Sequence, residues 1–255
     1  MTTRRRAPRP TATRRARRTA PGAQPRRARA RSSATRQRII EAALHAFGEH
    51  GFDGAMTRDI AEAAGVQQPL INYHFGSKDG LWRAVVAHLF AELRESVQGR
   101  LGEVATLDPP EALAAVLHHF VLFTAERPQL SRLMLKETAA RGERLIWIVE
   151  HHLRPSFNAA LALIQAAQRR GALAGIEPVS AYYLFVGAAT SAFVMGPAYQ
   201  LLTGCDPFSP ERRNAYADAV VQLFLPTHRA APKRRRPELR PPGGASVRIR
   251  EDTDQ

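Results

Sequence analysis

Side chains that can read DNA bases lie close together in one short segment of the chain. The amides of Gln68 and Asn72 can each form two hydrogen bonds with the edge of an adenine, and Leu70 can contact a thymine methyl group. Tyrosine and lysine, here Tyr73 and Lys78, are suited to phosphate oxygens. These residue types at this spacing predict a surface that contacts DNA.

The position of Lys78 gives a second indication. Ser77 is predicted to cap a helix, which places Lys78 in the first turn, where the helix dipole disfavours a cation. A phosphate at this helix start would accept hydrogen bonds from backbone N–H groups and would also pair with the ammonium group. We therefore expect Lys78 to contact the DNA backbone.

Two short helices joined by a glycine turn are predicted to position these side chains. Thr57 is expected to cap the first helix, Gly65 to end it in a left-handed conformation, and Pro69 to lie in the first turn of the second. This pattern is typical of a helix-turn-helix, whose second helix enters the major groove, although a plain helical pair with a polar outer side would give it too. The residues expected to face inward are Ile60, Ala61, Val66 and Ile71.

The rest of the central chain is also predicted to be helical. Apolar residues recur at helical spacing over about 35–49, where Ser33 is expected to cap the helix and Gly51 to end it. The helix that follows Ser77 is expected to bury Leu81, Val85 and Leu89. We find no sustained alternation with a period of two, which would indicate a strand. Further helices are predicted at 109–125, 128–140, 143–169, 178–203 and 209–225.

Basic residues are concentrated at the two ends of the chain. Residues 1–31 hold twelve arginines and no acidic residue, and residues 226–255 hold eight lysines and arginines against four acidic residues. The net charge of +14 therefore arises from the ends and does not show that the middle binds DNA. Because they have few large apolar residues to bury, both ends are predicted to be disordered. A start codon assigned too far upstream would also produce such an N-terminal stretch.

Several classes of site are not expected. The single cysteine, Cys205, excludes an intrachain disulfide and a cysteine-based zinc site. Adjacent histidines at 118–119 and 151–152 point to different sides of a helix, so we expect no metal and no cofactor. The sequence has no nucleophile elbow, P-loop, zinc-protease or dinucleotide-binding motif, so we expect no enzyme. The uncharged stretch 178–205 has the length of a membrane span, but its glycines, serine and proline favour a buried interface helix.

The segment Thr35–Val85 resembles the DNA-binding domain of the TetR family. This resemblance implies a homodimer, a larger all-helical ligand-sensing domain behind the DNA-binding domain, and repression that a small molecule relieves. Gln67, Leu70 and Asn72 depart from the residues usual in the family, so an operator preference cannot be carried over. The matching positions are Ala46-Phe47, Gly51-Phe52, Thr57, Ile60-Ala61, Ala64-Gly65-Val66, Tyr73-His74-Phe75, Ser77-Lys78-Asp79 and Leu81.

We therefore predict an all-α protein in four parts. They are a disordered arm (1–31), a helix-turn-helix domain (32–83), a helical effector-binding and dimerisation domain (84–225) and a disordered basic tail (226–255). The expected function is a bacterial, cytoplasmic, nucleoid-associated regulator, which represses by binding a palindromic operator until an effector releases it. The alternative is a sequence-blind protein that coats double-stranded DNA through its basic arms. The residues expected to contact DNA are Thr57, Arg58, Gln67, Gln68, Pro69, Leu70, Asn72, Tyr73, His74 and Lys78.

Two sites are expected in the C-terminal part. The family implies that the last two helices pair across the dimer axis, which fits an apolar stripe ending at Phe224 and small residues between Gly187 and Gly196. A core within one chain would explain the stripe equally well. An unknown, hydrophobic or aromatic effector is expected among the helices of 109–203. The predicted pocket residues are Phe120, Phe123, Met134, Glu137, Trp147, His151 and Tyr182, with Phe157, Phe193 and His119 as further candidates.

Overall fold

The computed structural model describes residues 23–104 and 107–226. These residues form eleven α-helices, one π-helical turn and no strand, which confirms the all-α prediction. The helices are α1 (Ala23–Gly54), α2 (Thr57–Ala63), α3 (Pro69–Phe75), α4 (Lys78–Val104), α5 (Pro109–Glu126), α6 (Pro128–Ala140), α7 (Glu143–Ile148), α8 (Arg154–Arg169), α9 (Pro178–Val194), α10 (Gly196–Thr203) and α11 (Pro210–Phe224), and the π-helical turn is Val149–Leu153.

Helix α1 begins much earlier than predicted. It starts at Ala23, so the expectation of a disordered arm is wrong for residues 23–31, and Ser33 lies inside the helix rather than at its cap. Alanine and arginine are strong helix formers, and a helix anchored by packed residues from Ile39 onward can extend backward without an apolar face. At the other end Gly51, with φ 72° and ψ −177°, interrupts the helix where it was expected to stop. Residues 1–22 and 227–255 of the predicted arm and tail lie outside the described residues.

The first apolar core joins α1, α2 and α3 to the start of α4, and we call this part of the molecule the head. Its largest side chain is Trp82, which is 1% exposed. Leu81, Val85 and Leu89 are fully buried, as predicted, so the start of α4 belongs to the head core. Each large apolar side chain buried in this way contributes about 1.5–3 kcal/mol to folding. The head is therefore fixed firmly to the long helix α4.

The second core lies among α5 to α11, which we call the body. Helix α5 is central, since it packs against α4, α8, α9 and α11. Thr124, which is buried on α5, donates a hydrogen bond of 2.9 Å to the carbonyl oxygen of Ala189 on α9. This bond satisfies the hydroxyl within an apolar core, where an unpaired hydroxyl would be destabilising. The main buried residues are Leu117, Val121, Ile164, Ala189, Phe193 and Val220.

The predicted helix over 178–203 is in fact two helices, α9 and α10, that meet at an angle of 66°. The break lies at Met195, directly before Gly196 and Pro197, the first two residues of α10. A Cβ atom on Gly196 would lie 3.0 Å from the ring of Phe208, so this glycine allows a close approach within one chain. Pro197 lacks the N–H that a continuous helix would use. In the described part of the chain, no single helix is long and apolar enough to cross a membrane, and α9 with α10 meets that test only as a bent pair.

Candidate DNA interface and effector pocket

Helix α3 lies on the surface of the head and is anchored by one buried side chain. Ile71 is fully buried, as predicted, whereas the residues predicted to read bases, Gln68, Leu70 and Asn72, are exposed. Gly65 has a φ of 63°, and the next residue, Val66, donates a backbone hydrogen bond of 2.9 Å to Ala61. The glycine turn is thus formed as predicted. The exposed residues of this segment are Gln67, Gln68, Pro69, Leu70, Asn72 and Tyr73.

Thr57 has a different role from the one predicted. It is the first residue of α2, and the capping position is Met56, whose side chain forms no capping hydrogen bond. The hydroxyl oxygen of Thr57 instead accepts a hydrogen bond of 3.0 Å from the side-chain amide of Gln68. This bond connects the start of α2 to the start of α3. It leaves the amide oxygen of Gln68 and its second N–H free to meet a base.

The start of α4 has the cap that was predicted. The hydroxyl of Ser77 accepts a hydrogen bond of 3.0 Å from the backbone N–H of Gly80. The ammonium of Lys78 donates to the carbonyl oxygen of Asp53 at 3.3 Å and lies 4.7 Å from the ring centre of Phe52. An ammonium has three donors, so one contact to a carbonyl leaves others for a phosphate.

Other basic and aromatic groups border this surface. Arg58 is exposed next to Asp59, at 3.6 Å between charged atoms, and Tyr73 is 79% exposed with its ring 5.1 Å from that of His74. Arg36 on α1 was not among the predicted residues. Its guanidinium lies 5.1 Å from the ring centre of Phe75, at the end of α3. Arg36 and Phe75 are far apart in the sequence, so the sequence does not predict this contact. The packing of α1 brings the two residues together.

Two family profiles match the chain over ranges that agree with the head and the body. The profile described as bacterial regulatory proteins, tetR family, matches residues 39–85. The profile described as tetracyclin repressor-like, C-terminal domain, matches residues 109–223. Together they cover more than half of the chain. This chain belongs to the TetR family. It is a DNA-binding transcriptional regulator with an N-terminal helix-turn-helix.

The relatives of this TetR-family chain are regulators. The transcriptional regulatory protein RaaS of Mycobacterium tuberculosis is 33% identical over 115 residues, which cover 43% of this chain and 54% of RaaS. The regulator RutR of Escherichia coli is 28% identical over 176 residues, or 68% of this chain and 80% of RutR. The chain thus spans about half of one relative and most of the other.

Solved structures agree on the fold. A Streptomyces coelicolor protein described as a transcriptional regulator is 27% identical, with a TM-score of 0.56 over 74% of this chain and 98% of its own. AibR, in complex with isovaleryl coenzyme A and operator DNA, has a TM-score of 0.62 over 75% of this chain and 98% of its own. At 18% identity this second likeness shows the fold alone.

The residues predicted to line an effector pocket divide between the two cores. Phe123, Met134 and Trp147 belong to the head core, which reaches into α5, α6 and α7. Phe120 and Tyr182 belong to the body core, where burial raises the pKa of the Tyr182 phenol. The structure therefore does not bring the predicted set together in one place.

The polar candidates are already engaged by protein groups. Glu137 is 3% exposed, and both of its oxygens accept hydrogen bonds from Arg144, at 3.2 and 3.1 Å. His151 is exposed, and its Nδ1 donates to the carbonyl oxygen of Trp147 at 2.9 Å. His119 contacts Ser96, and Phe157 packs edge-on against Tyr182 at 4.8 Å. Phe193, the remaining candidate, is buried in the body core.

A polar cluster between the head and the body was not foreseen. Within the described ranges, Glu41, His88 and Glu92 bring their ligand atoms within 4.8 Å of one another, as a metal site would. However, Arg127 donates to both oxygens of Glu92 at 2.8 and 2.9 Å, and this hydrogen bonding raises the pKa of Arg127. Gln37 also contacts Glu41 and His88. Because these atoms already pair with protein groups and a guanidinium adjoins them, we assign no metal to the cluster.

Proposed function

We propose that this regulator acts as a homodimer that reads a two-fold symmetric operator with α3 and releases it when a small molecule binds the body. The exposure of six residues around the single buried anchor, Ile71, at the start of α3 and directly before it, carries the proposal, because these residues are available to a partner. Gln68 is held in place by Thr57, which reduces the entropy lost when it meets a base. The action is binding rather than catalysis. AibR, which has the same fold, forms a complex with isovaleryl coenzyme A and operator DNA, so a protein of this fold can bind both kinds of ligand.

One face of α9 supports the dimer. Leu184 is 54% exposed and Tyr183 is 66% exposed, and they share this face with uncharged small residues at helical spacing. On α11 the predicted stripe divides, since Val220 is buried in its own body while Leu223 is 72% exposed. A second copy that covers this face would place two α3 helices for two half-sites of an operator. The small exposed residues of the α9 face are Ser180, Gly187 and Ser191.

The basic ends add affinity but not sequence preference in this proposal. An arginine-rich segment gains affinity by releasing counterions from any phosphate backbone, and it raises the association rate. The arginines between Ala23 and Arg31 lie on the extension of α1, directly before the head. We place the protein in the bacterial cytoplasm, bound to the nucleoid.

The first experiment is selection of bound fragments from a random DNA library. The full chain and a chain trimmed to residues 32–226 are tested side by side at several salt concentrations. We expect both to recover the same palindrome, with weaker binding and a smaller salt dependence for the trimmed chain. If only the full chain binds, and without a common motif, the sequence-blind alternative is correct.

Substitutions on the head should separate base reading from backbone contact. Gln68→Ala or Asn72→Ala is expected to relax the preference at one base pair of each half-site, at a loss of about 1–3 kcal/mol of discrimination. Lys78→Ala is expected to weaken all sequences alike and to lower the slope of log affinity against log salt by about one. Fluorescence anisotropy on operator variants measures both, and Gln165→Ala, an exposed glutamine on α8, serves as the control. An equal loss on every sequence from all three head variants would contradict this division.

A further inference from the structure

A buried histidine at the junction of head and body has no hydrogen-bond partner. His152 is 9% exposed, and neither Nδ1 nor Nε2 has a partner. Its ring lies parallel to that of Phe90 on α4, with centroids 5.1 Å apart and an 8° angle, and edge-on to Trp147 at 5.0 Å. A neutral imidazole carries one donor and one acceptor, and leaving them unpaired inside a protein is unfavourable. Phenylalanine would fill the same stacked position without this disadvantage.

The backbone around His152 is also unusual. His152 lies in the π-helical turn Val149–Leu153, between the regular helices α7 and α8. Single π-helical turns are rare and occur frequently at functional sites, because the wider turn displaces side chains from their regular positions. Here the turn holds the ring of His152 against Phe90, while His151 stays exposed on the ring of Trp147. The π-helical turn and the unpaired imidazole thus occur at the same place.

The charge beside this histidine is positive. Burial, and secondarily the positive charge of Arg94, lower the pKa of His152, which keeps its imidazole neutral near pH 7. Arg94 lies one helical turn after Phe90 on α4, is exposed, and has no ion-pair partner within the part of the chain that the structure describes. A guanidinium suits a carboxylate, and a neutral imidazole can donate a second hydrogen bond to it.

We propose that His152 and Arg94 bind the carboxylate of a small organic acid, whose apolar or aromatic part packs against Trp147. This inference deepens the proposed function and rests on it, since the acid would be the effector. The site adjoins the head core, because the ring of Trp147 lies 5.8 Å from that of Trp82. Occupation would therefore act on α4, the helix that begins at Lys78 in the DNA interface.

The two tryptophans of the chain provide the readout, since both lie at this junction. The full chain is titrated with octanoate and benzoate, and with octanol and benzyl alcohol as neutral counterparts, while tryptophan emission is recorded. We expect a saturable change with a carboxylate at a concentration at least about tenfold lower than with its alcohol. Equal responses to acid and alcohol, or no saturable response to either acid, would overturn the proposal.

Two variants test the assigned residues. His152→Phe and Arg94→Gln are each expected to weaken the carboxylate response about tenfold or more, whereas Arg169→Gln, an exposed arginine at the end of α8, leaves it unchanged. His152→Phe should unfold at the same temperature as the parent or higher, because it removes an unpaired polar group. A clear drop in its unfolding temperature would mean that His152 is structural, and would contradict the proposal.

Operator binding without any carboxylate separates this inference from the proposed function. If the full chain selects a palindrome but its tryptophan response fails the tests above, the acid site is wrong and the regulator stands. If the chain selects no DNA sequence, the proposed function fails, whatever the carboxylates do to the emission.

Discussion

Leu184→Asp is expected to convert the proposed dimer into monomers and to lower operator affinity by at least about 100-fold. Leu184 is 54% exposed on the uncharged face of α9, so an aspartate there does not disturb the core of its own chain. In the dimer it would bury a charge on both sides of the contact, which is strongly unfavourable. A single head contacts one half-site, and it loses the gain that two linked heads obtain by binding together.

The measurement combines light scattering, for the mass in solution, with anisotropy on the full operator and on a single half-site. The control is Ile146→Asp, because Ile146 is 61% exposed on α7, outside the α9 face. We expect the control to remain a dimer and the Leu184 variant to bind the full operator no better than the half-site. A Leu184→Asp protein that keeps the parent mass would show that another surface forms the dimer.

The parts of the fold that sequence predicts well are those set by local rules. The turn between α2 and α3 follows from Gly65, because a left-handed residue without a side chain ends a helix at little cost. Pro128 in the first turn of α6 and Gly142 directly before α7 are further local signals. The exposed face of α3 follows from helical spacing once Ile71 is recognised as its anchor.

The parts that sequence predicts badly depend on neighbours in space. The start of α1 at Ala23 was missed because its first turns have no apolar pattern, although their residue types favour a helix. The π-helical turn has no signal in the local sequence. It occurs together with the packing of His152 against Phe90, which lies on α4, and against Trp147. The bend after α9 does have a local signal in Gly196 and Pro197, although the apolar run around these residues favours one continuous helix.

The predicted effector pocket failed to form one group for the same reason. Aromatic residues at helical spacing are typical of any core, and spacing does not say which of two cores receives them. Phe120 and Phe123 are three residues apart on α5, yet they contribute to different cores. Whether a buried polar group has a hydrogen-bond partner distinguishes a candidate binding residue from an ordinary core residue better than spacing does. Glu137 is buried with a partner, while His152, which the prediction passed over in favour of its neighbour, is buried without one.

Arg144→Met is expected to destabilise the protein by about 3–5 kcal/mol, the range typical when one partner of a buried ion pair is removed. The carboxylate of Glu137 is almost inaccessible to water, and Arg144 donates to both of its oxygens. The same guanidinium lies 4.0 Å from the ring centre of Phe52, in the head. Its loss would leave a buried charge unpaired and would also remove a contact between head and body. Urea unfolding followed by circular dichroism measures the change.

Two comparisons show whether the unpaired carboxylate is the cause. Arg154→Met removes an exposed pair with Glu150, and should change the stability little, because water screens that pair. The double variant Glu137→Gln with Arg144→Met should recover much of the lost stability, since a neutral amide is less costly to bury than a charge. If the double variant is as unstable as Arg144→Met, the contact of the guanidinium with Phe52 is the larger contribution. In that case the head is held to the body mainly by packing on the aromatic ring, and the ion pair serves to orient Arg144 for it.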